Sequence, residues 1–128
     1  MGRAWKRTVL VVEDDQLQRE LVSLIFEESD MHVIQCMSGE AAAVVLEKSG
    51  PELTMMFTDV DLEGGMSGID LVKIARQRFP AIDVIVTSGR EVGAIPDDVL
   101  FMPKPWLPLD LLREAERSCR RHGVHLTY

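Results

Sequence analysis

Long apolar runs are missing from this chain. No stretch approaches the ~18 consecutive apolar residues that a membrane-spanning helix needs, and no signal-peptide pattern precedes the first predicted strand. A cytoplasmic protein with no membrane partner is the expectation. Cysteine is scarce as well. Cys36 and Cys119 are far apart and each sits in an apolar pattern, so both are expected as buried thiols of a cytosolic protein. Positive charge is in deficit. The formal net charge is −7, which makes direct binding of nucleic acid by the body of the domain an unexpected role. Basic residues do cluster at the ends: Arg3, Lys6 and Arg7, then Arg113, Arg117, Arg120 and Arg121. They read as solvated termini and a solvated helix face. Repeats, low-complexity segments and internal linkers are absent.

What is present is an ordinary globular composition. The 128 residues are 46% hydrophobic and 27% charged, enough for one domain with a real core. Thr8–Val12 is short and β-branched, and reads as a strand buried on both faces. A helix follows, with Leu17, Leu21, Leu24 and Ile25 expected on its apolar face. Met31–Cys36 is a second strand. Ser38 is placed to cap a helix over Gly39–Lys48, which Ser49-Gly50-Pro51 stops. Leu53–Asp59 is the third strand. Ser67 caps a helix that carries Ile69, Val72, Ile74, Ala75 and Phe79 before Pro80. Asp83–Ser88 and Leu100–Met102 complete the strands. Pro108 suits the first turn of a last helix, continued by Leu112, Ala115 and Cys119 to about Arg121.

Strands that alternate with helices predict an α/β fold, a doubly wound parallel sheet with helices on both faces. Right-handed crossovers leave the flavodoxin-like order 2-1-3-4-5 as the natural one for five strands. One segment breaks the alternation. Between the fourth and fifth strands lies only GREVGAIPDDV, residues 89–99, with Gly93 and Pro96 inside it. The fourth helix is therefore expected to be shortened or missing, leaving a loop with at most one or two helical turns.

The predicted order sets the first and third strands side by side. Glu13 and Asp14, after the first, and Asp59, ending the third, then meet at one edge of the sheet, where ligands of open α/β sheets bind. Like charges that close raise one another's pKa. A hard divalent cation relieves this, and Mg²⁺ favours a few carboxylates with waters and phosphate oxygens. The cluster implies a Mg²⁺ site open to a phosphorylated ligand. Ser88 ends the fourth strand and Lys104 follows the fifth, so both would face the same mouth. A hydroxyl and an ammonium are suited to negatively charged phosphoryl oxygens.

With these residues in view, the chain resembles the receiver domain of two-component response regulators from about Thr8 to Arg121. The carrying motifs are VLVVEDD (Val9–Asp15), MMFTDVDLEGGMSGIDL (Met55–Leu71), VIVTSG (Val84–Gly89) and FMPKPW (Phe101–Trp106). The resemblance implies one receiver domain over residues 1–128, with its core at about 8–121. It implies that Asp59 accepts a phosphoryl group from a sensor histidine kinase or a histidine phosphotransfer protein, switching a surface for a downstream protein whose identity the sequence does not give. Asp14, Asp59 and the carbonyl of Asp61 would bind Mg²⁺, with Glu13 acting through water. Lys104 would pair with Asp59 and then with the phosphoryl group. Ser88 would be the switch hydroxyl, with Thr87 as second choice, and Phe101 the rotating aromatic. Lys104-Pro105 matches a peptide bond usually cis in the family. Such a domain would be no enzyme beyond its own phosphorylation and dephosphorylation. Arg90 and Asp61, each two residues past a site residue, are expected as an oppositely charged pair at the rim.

The chain departs from the family's pattern in the short connection after Ser88. The missing helix normally forms part of the output and dimerisation face, so the usual dimer is not expected. Phe101 also lacks the hydroxyl of the common tyrosine. Three other readings compete. Residues 59–70, DVDLEGGMSGID, imitate a Ca²⁺-binding EF-hand loop, but a strand precedes them and the twelfth residue is Asp70 rather than Glu. Asp59-Val60-Asp61 imitates a haloacid-dehalogenase-type phosphatase motif, but no acidic pair follows the lysine; Asp97-Asp98 precede it. The third is a protein-interaction module that is never phosphorylated.

Overall fold

The computed structural model describes residues 7–122; Arg3 and Lys6 lie outside them. The chain runs β1 (Arg7–Val12), α1 (Gln16–Glu28), β2 (Met31–Cys36), α2 (Gly39–Ser49), a 3₁₀ turn (Gly50–Glu52), β3 (Met55–Asp59), α3 (Gly68–Arg78), β4 (Asp83–Ser88), β5 (Leu100–Pro103) and α4 (Pro108–Arg121). All strand pairs are parallel and the sheet order is β2-β1-β3-β4-β5. This is the expected flavodoxin-like, doubly wound order.

Alternation along the strands builds two cores. Leu10, Val12, Met56, Val84 and Val86 face α2 and α3, meeting Ala42, Leu46, Leu71, Val72 and Ala75. Val9, Val11, Met55, Phe57 and Ile85 face α1 and α4, meeting Val22, Ile25, Phe26, Leu111 and Ala115. Burying each large side chain fully contributes about 1.5–3 kcal/mol relative to exposure. The helices start where the sequence predicts. Ser38 accepts the Ala41 N–H at 3.1 Å. Ser67 and Asp70 form a reciprocal capping box on α3. Pro108 stands in the first turn of α4. Cys36 and Cys119 are both buried, as expected.

The apolar face expected of α1 holds at Ile25 and is corrected at its three leucines. Leu17, Leu21 and Leu24 are 78%, 49% and 56% exposed, while Val22, Ile25 and Phe26 are buried. Two stripes of helical spacing interleave on this helix, 17-21-24 and 22-25-26. Packing decides between them, because Phe26 meets the ring of Phe57 edge-on at 6.2 Å. Arg7 is also corrected. It is not solvated; it is buried, and its guanidinium donates to the carbonyls of Ala115 and Ser29, both at 2.9 Å. Arg113, Arg117, Arg120 and Arg121 are exposed, as expected.

Between β4 and β5 the chain forms no helix. Val92 and Ile95 pack on the α2–α3 side of the sheet in its place. Arg76 of α3 fixes the loop's far end by donating to Asp98 at 2.7 Å. Among the described residues no helix is long and apolar enough to cross a membrane.

Candidate functional site

The C-terminal ends of β1, β3, β4 and β5 bring Glu13, Asp59, Ser88 and Lys104 to one edge. Parallel pairing sets β3 between β1 and β4, with Thr58 beside Val12 and Asp59 beside Thr87. Asp59 is 6% exposed and Glu13 is 2% exposed. Lys104 Nζ donates to Asp59 Oδ2 at 2.6 Å and lies 3.7 Å from Glu13 Oε1. It also donates to the amide oxygen of Gln18 at 3.1 Å. The ammonium is held by two buried carboxylates and one neutral acceptor.

Backbone donors fix the acids. The Asp61 N–H donates to Asp59 Oδ1 at 3.0 Å. The Asp15 N–H donates to Glu13 Oε2 at 3.0 Å. The Glu63 N–H donates to Asp14 Oδ2 at 2.9 Å, so the β3–α3 loop folds over Asp14. Glu40 ties that loop from the other side, accepting the Gly65 N–H at 2.8 Å. Arg19 donates to the carbonyl of Glu13 at 2.8 Å.

Burial pushes the Glu13 carboxyl up to about 7, and the charge of Asp59 adds to the rise. Burial pulls the Lys104 ammonium down, but its hydrogen bond and attraction to Asp59 outweigh this and leave it raised. The convergence expected of Glu13, Asp14 and Asp59 is looser than a finished cage. Among the described residues no three His, Cys, Asp or Glu side chains already stand as a formed metal cluster. Lys104 stands by Asp59 and Glu13, and Asp14 accepts the Glu63 N–H.

Ser88 and Thr87 divide between the faces of β4. Ser88 is buried, and its Oγ accepts the Arg90 N–H at 3.2 Å. The Thr87 hydroxyl is engaged on the α1–α4 side, donating to the Met102 carbonyl at 2.8 Å. Phe101 lies beside Val86 in the β4–β5 register, partly buried on the α2–α3 side. The Lys104-Pro105 bond is cis. At the rim, Arg90 grips Asp61 with two nitrogens, Nη2 to Oδ1 at 2.8 Å and Nε to Oδ2 at 3.1 Å. That hydrogen bond holds the Asp61 carboxyl below its ordinary range. Asp70, the last residue of the EF-hand imitation, turns its carboxylate back to the Ser67 N–H at 2.9 Å, and β3 precedes the segment.

Residues the sequence reading missed are Gln18, Arg19, Glu40 and Trp106. Only Trp106 had a signal, its place in FMPKPW. The others act through contacts across the fold that no local pattern announces.

The family model of the response regulator receiver domain matches residues 9–100. This chain belongs to that family; it is a receiver domain of two-component systems. Among curated relatives, it is similar to a cyclic di-GMP phosphodiesterase of Thermotoga maritima at 34% identity, over 94% of this chain and 33% of that one. It is 28% identical to the phosphate regulon transcriptional regulatory protein PhoB of Escherichia coli, over 90% of this chain and 52% of that one. The two-component response regulator ORR5 of Oryza sativa is 30% identical, over 88% of each chain. The chain thus spans a third of the phosphodiesterase and about half of PhoB. Among solved structures, a receiver domain protein of Clostridium thermocellum superposes with a TM-score of 0.82 at 17% identity, over 92% of this chain and 98% of that one. A CheY-like receiver of Methanospirillum hungatei gives 0.81 at 19% identity, over 94% and 100%. At these identities the two structures speak for the fold.

Proposed function

We propose that this receiver accepts a phosphoryl group on Asp59 and returns it to water, with a histidine kinase or histidine phosphotransfer protein as donor. The observation that carries the reading is the buried Asp59 carboxylate at the end of β3, with the Lys104 ammonium 2.6 Å from it. Asp59 attacks the phosphorus of the donor phosphohistidine through a carboxylate oxygen, and the bond to the donor nitrogen breaks. Lys104 neutralises charge on the equatorial phosphoryl oxygens, and Ser88 then donates its hydroxyl to one of them. Phe101, on the face that Ser88 shares with Val86, would repack as Ser88 moves. The whole chain acts as one receiver unit, and its downstream partner is a protein. It turns over no substrate besides its own acyl phosphate.

The donor set fits Mg²⁺. Asp14, Asp59 and the Asp61 carbonyl are hard oxygen ligands, and Glu13 would hold a coordinated water. When bound, the ion supplies positive charge against the incoming phosphoryl oxygens. Arg90 and Asp61 close the rim, where they would slow the water that hydrolyses the acyl phosphate.

The test is mass spectrometry after a small phosphodonor such as acetyl phosphate with Mg²⁺. Wild type should gain one phosphoryl group, mapped to Asp59, and Asp59→Asn should gain none. A label on Asp61, or none in wild type, overturns the reading.

A further inference from the structure

The last two side chains of β4 point to opposite faces. Ser88 shares the face of Val84 and Val86, and Thr87 shares that of Ile85. Thr87 is fully buried. Its hydroxyl stands between two partners, donating to the Met102 carbonyl at 2.8 Å and accepting the indole Nε1–H of Trp106 at 3.1 Å. The indole packs edge-on against Phe57, two residues before Asp59, with ring centroids 5.9 Å apart. Trp106 is half-buried. With Leu21, Val22, Pro105 and Pro108 it lines a cleft of about 280 Å³ between α1 and the start of α4.

The backbone joins this side chain to the acid site. The Thr87 carbonyl accepts the N–H of Val60, the residue after Asp59, at 3.0 Å. The Ser88 carbonyl accepts the N–H of Lys104 at 2.9 Å. Any shift of the β4 end relative to Asp59 and Lys104 therefore moves Thr87 too.

We propose that Thr87 is a positioning residue that couples the phosphoryl site to Trp106, so that loading of Asp59 is reported at the α1–α4 cleft. This rests on Asp59 being the phosphoryl acceptor. A phosphoryl oxygen draws the Ser88 hydroxyl toward it. Ser88 and Thr87 share a peptide unit, so the Thr87 oxygen is displaced from the indole. The indole N–H exchanges Thr87 for water, and one wall of the cleft shifts. The device lies on the other side of the sheet from Phe101. It depends on one oxygen atom: valine would fill the space of Thr87, but it cannot accept the indole proton.

The experiment uses the full chain with Trp5→Phe, leaving Trp106 as the one tryptophan. Mg²⁺ and beryllofluoride load the site as a phosphoryl mimic. Tryptophan emission and the indole ¹⁵N–¹H resonance are followed. Loading is checked independently by the rise in melting temperature. On loading, the parent should show a red-shifted emission, a moved indole resonance and faster indole exchange with solvent. Thr87→Ser should keep all three responses. Thr87→Val should already resemble the loaded state in emission and show no further shift when loaded. A parent that loads with unchanged emission, indole resonance and exchange overturns the proposal, and needs no variant to do so. Loss of the response in Thr87→Ser, or its persistence in Thr87→Val, overturns it too. Failure of the parent to load is a different result; it removes the acceptor role of Asp59 and this coupling with it.

Discussion

Gly68 is the position where one added carbon should do most harm. It opens α3 directly over the end of β3, and its N–H donates to the Val60 carbonyl at 2.9 Å. A Cβ there would lie 2.1 Å from the carbonyl oxygen of Asp59, 2.8 Å from its carbonyl carbon and 2.9 Å from the Cα of Val60. Ordinary contacts need roughly 3.5 Å, so α3 must retreat by about 1.4 Å. All three atoms are backbone, and none can swing aside as a side chain would. Overpacking costs about 1–3 kcal/mol and occasionally more; rigid neighbours put Gly68→Ala near the upper end, about 3 kcal/mol. With an unfolding entropy of about 2.1 cal/mol/K per residue, that is a fall of about 10 °C in melting temperature for a chain of 128 residues. Helix propensity alone predicts the opposite sign, since alanine favours a helix over glycine by about 1 kcal/mol. The control is Gly93→Ala, where a Cβ meets nothing within 4 Å. It should melt with wild type or slightly above it. The assay is thermal melting by circular dichroism, paired with the rate of phosphorylation by acetyl phosphate at a temperature where the variant is folded. That rate should fall, because the retreat disturbs the peptide that carries Asp59. A Gly68→Ala protein that melts within a degree or so of Gly93→Ala would refute the argument.

Mg²⁺ at about 100 times its dissociation constant should add about 2.7 kcal/mol, again about 10 °C of melting temperature; Asp14→Ala should show no such rise, and an unchanged wild type would count against the site. Without metal, stability should depend on pH through Glu13, whose carboxyl is held up at about 7 in the fold against an ordinary 4.5. The folded state keeps that proton longer than the unfolded chain, so the contribution is full below the ordinary value and is lost as pH rises toward the folded one. Melting in chelator between about pH 4.5 and pH 8 should fall less steeply in Glu13→Gln than in wild type, and equal slopes would exclude Glu13 as the cause. For the rim, Arg90→Ala and Asp61→Ala should each change the half-life of phosphorylated Asp59 while leaving melting nearly untouched, because both side chains are mostly exposed. Measured with the double variant, the changes should be smaller than the product of the single ones; a strict product means that the two residues act separately.

The parts legible in the sequence were those set by local chemistry. Strand ends followed from short apolar runs that stop at an acid or a hydroxyl, and helix starts from Ser38, Ser67 and Pro108. The loop between β4 and β5 followed from Gly93 and Pro96. The burial pattern of α1 was not legible, because Leu17-Leu21-Leu24 and Val22-Ile25-Phe26 fit helical spacing equally well. Only the partner on the sheet face beneath the helix, Phe57, distinguishes them. Arg7 was misjudged for the same reason. Its guanidinium is satisfied by the carbonyls of Ser29 and Ala115, the second 108 residues away in sequence. Gln18 and Glu40 met their partners only once the helices were placed.

The site itself is where the chain breaks the rules it follows elsewhere. Charged groups are rarely buried without full compensation, yet Glu13 and Asp59 are both nearly inaccessible. One ammonium stands against them, 2.6 Å from Asp59 and 3.7 Å from Glu13. A single positive charge does not balance two carboxylates, and the charge of Asp59 adds to the effect of burial in raising the proton affinity of Glu13. A proton is one remedy for the imbalance; a divalent cation with hard oxygen ligands is another. The two compete for the same deficit, so Mg²⁺ should displace a proton as it binds. This ties the metal and pH predictions together. In weakly buffered solution near pH 7, Mg²⁺ should acidify the wild-type protein measurably and the Glu13→Gln protein much less. Equal proton release from the two would mean that Glu13 is not part of the charge balance, and the metal would then have to be held by Asp14, Asp59 and the Asp61 carbonyl without it.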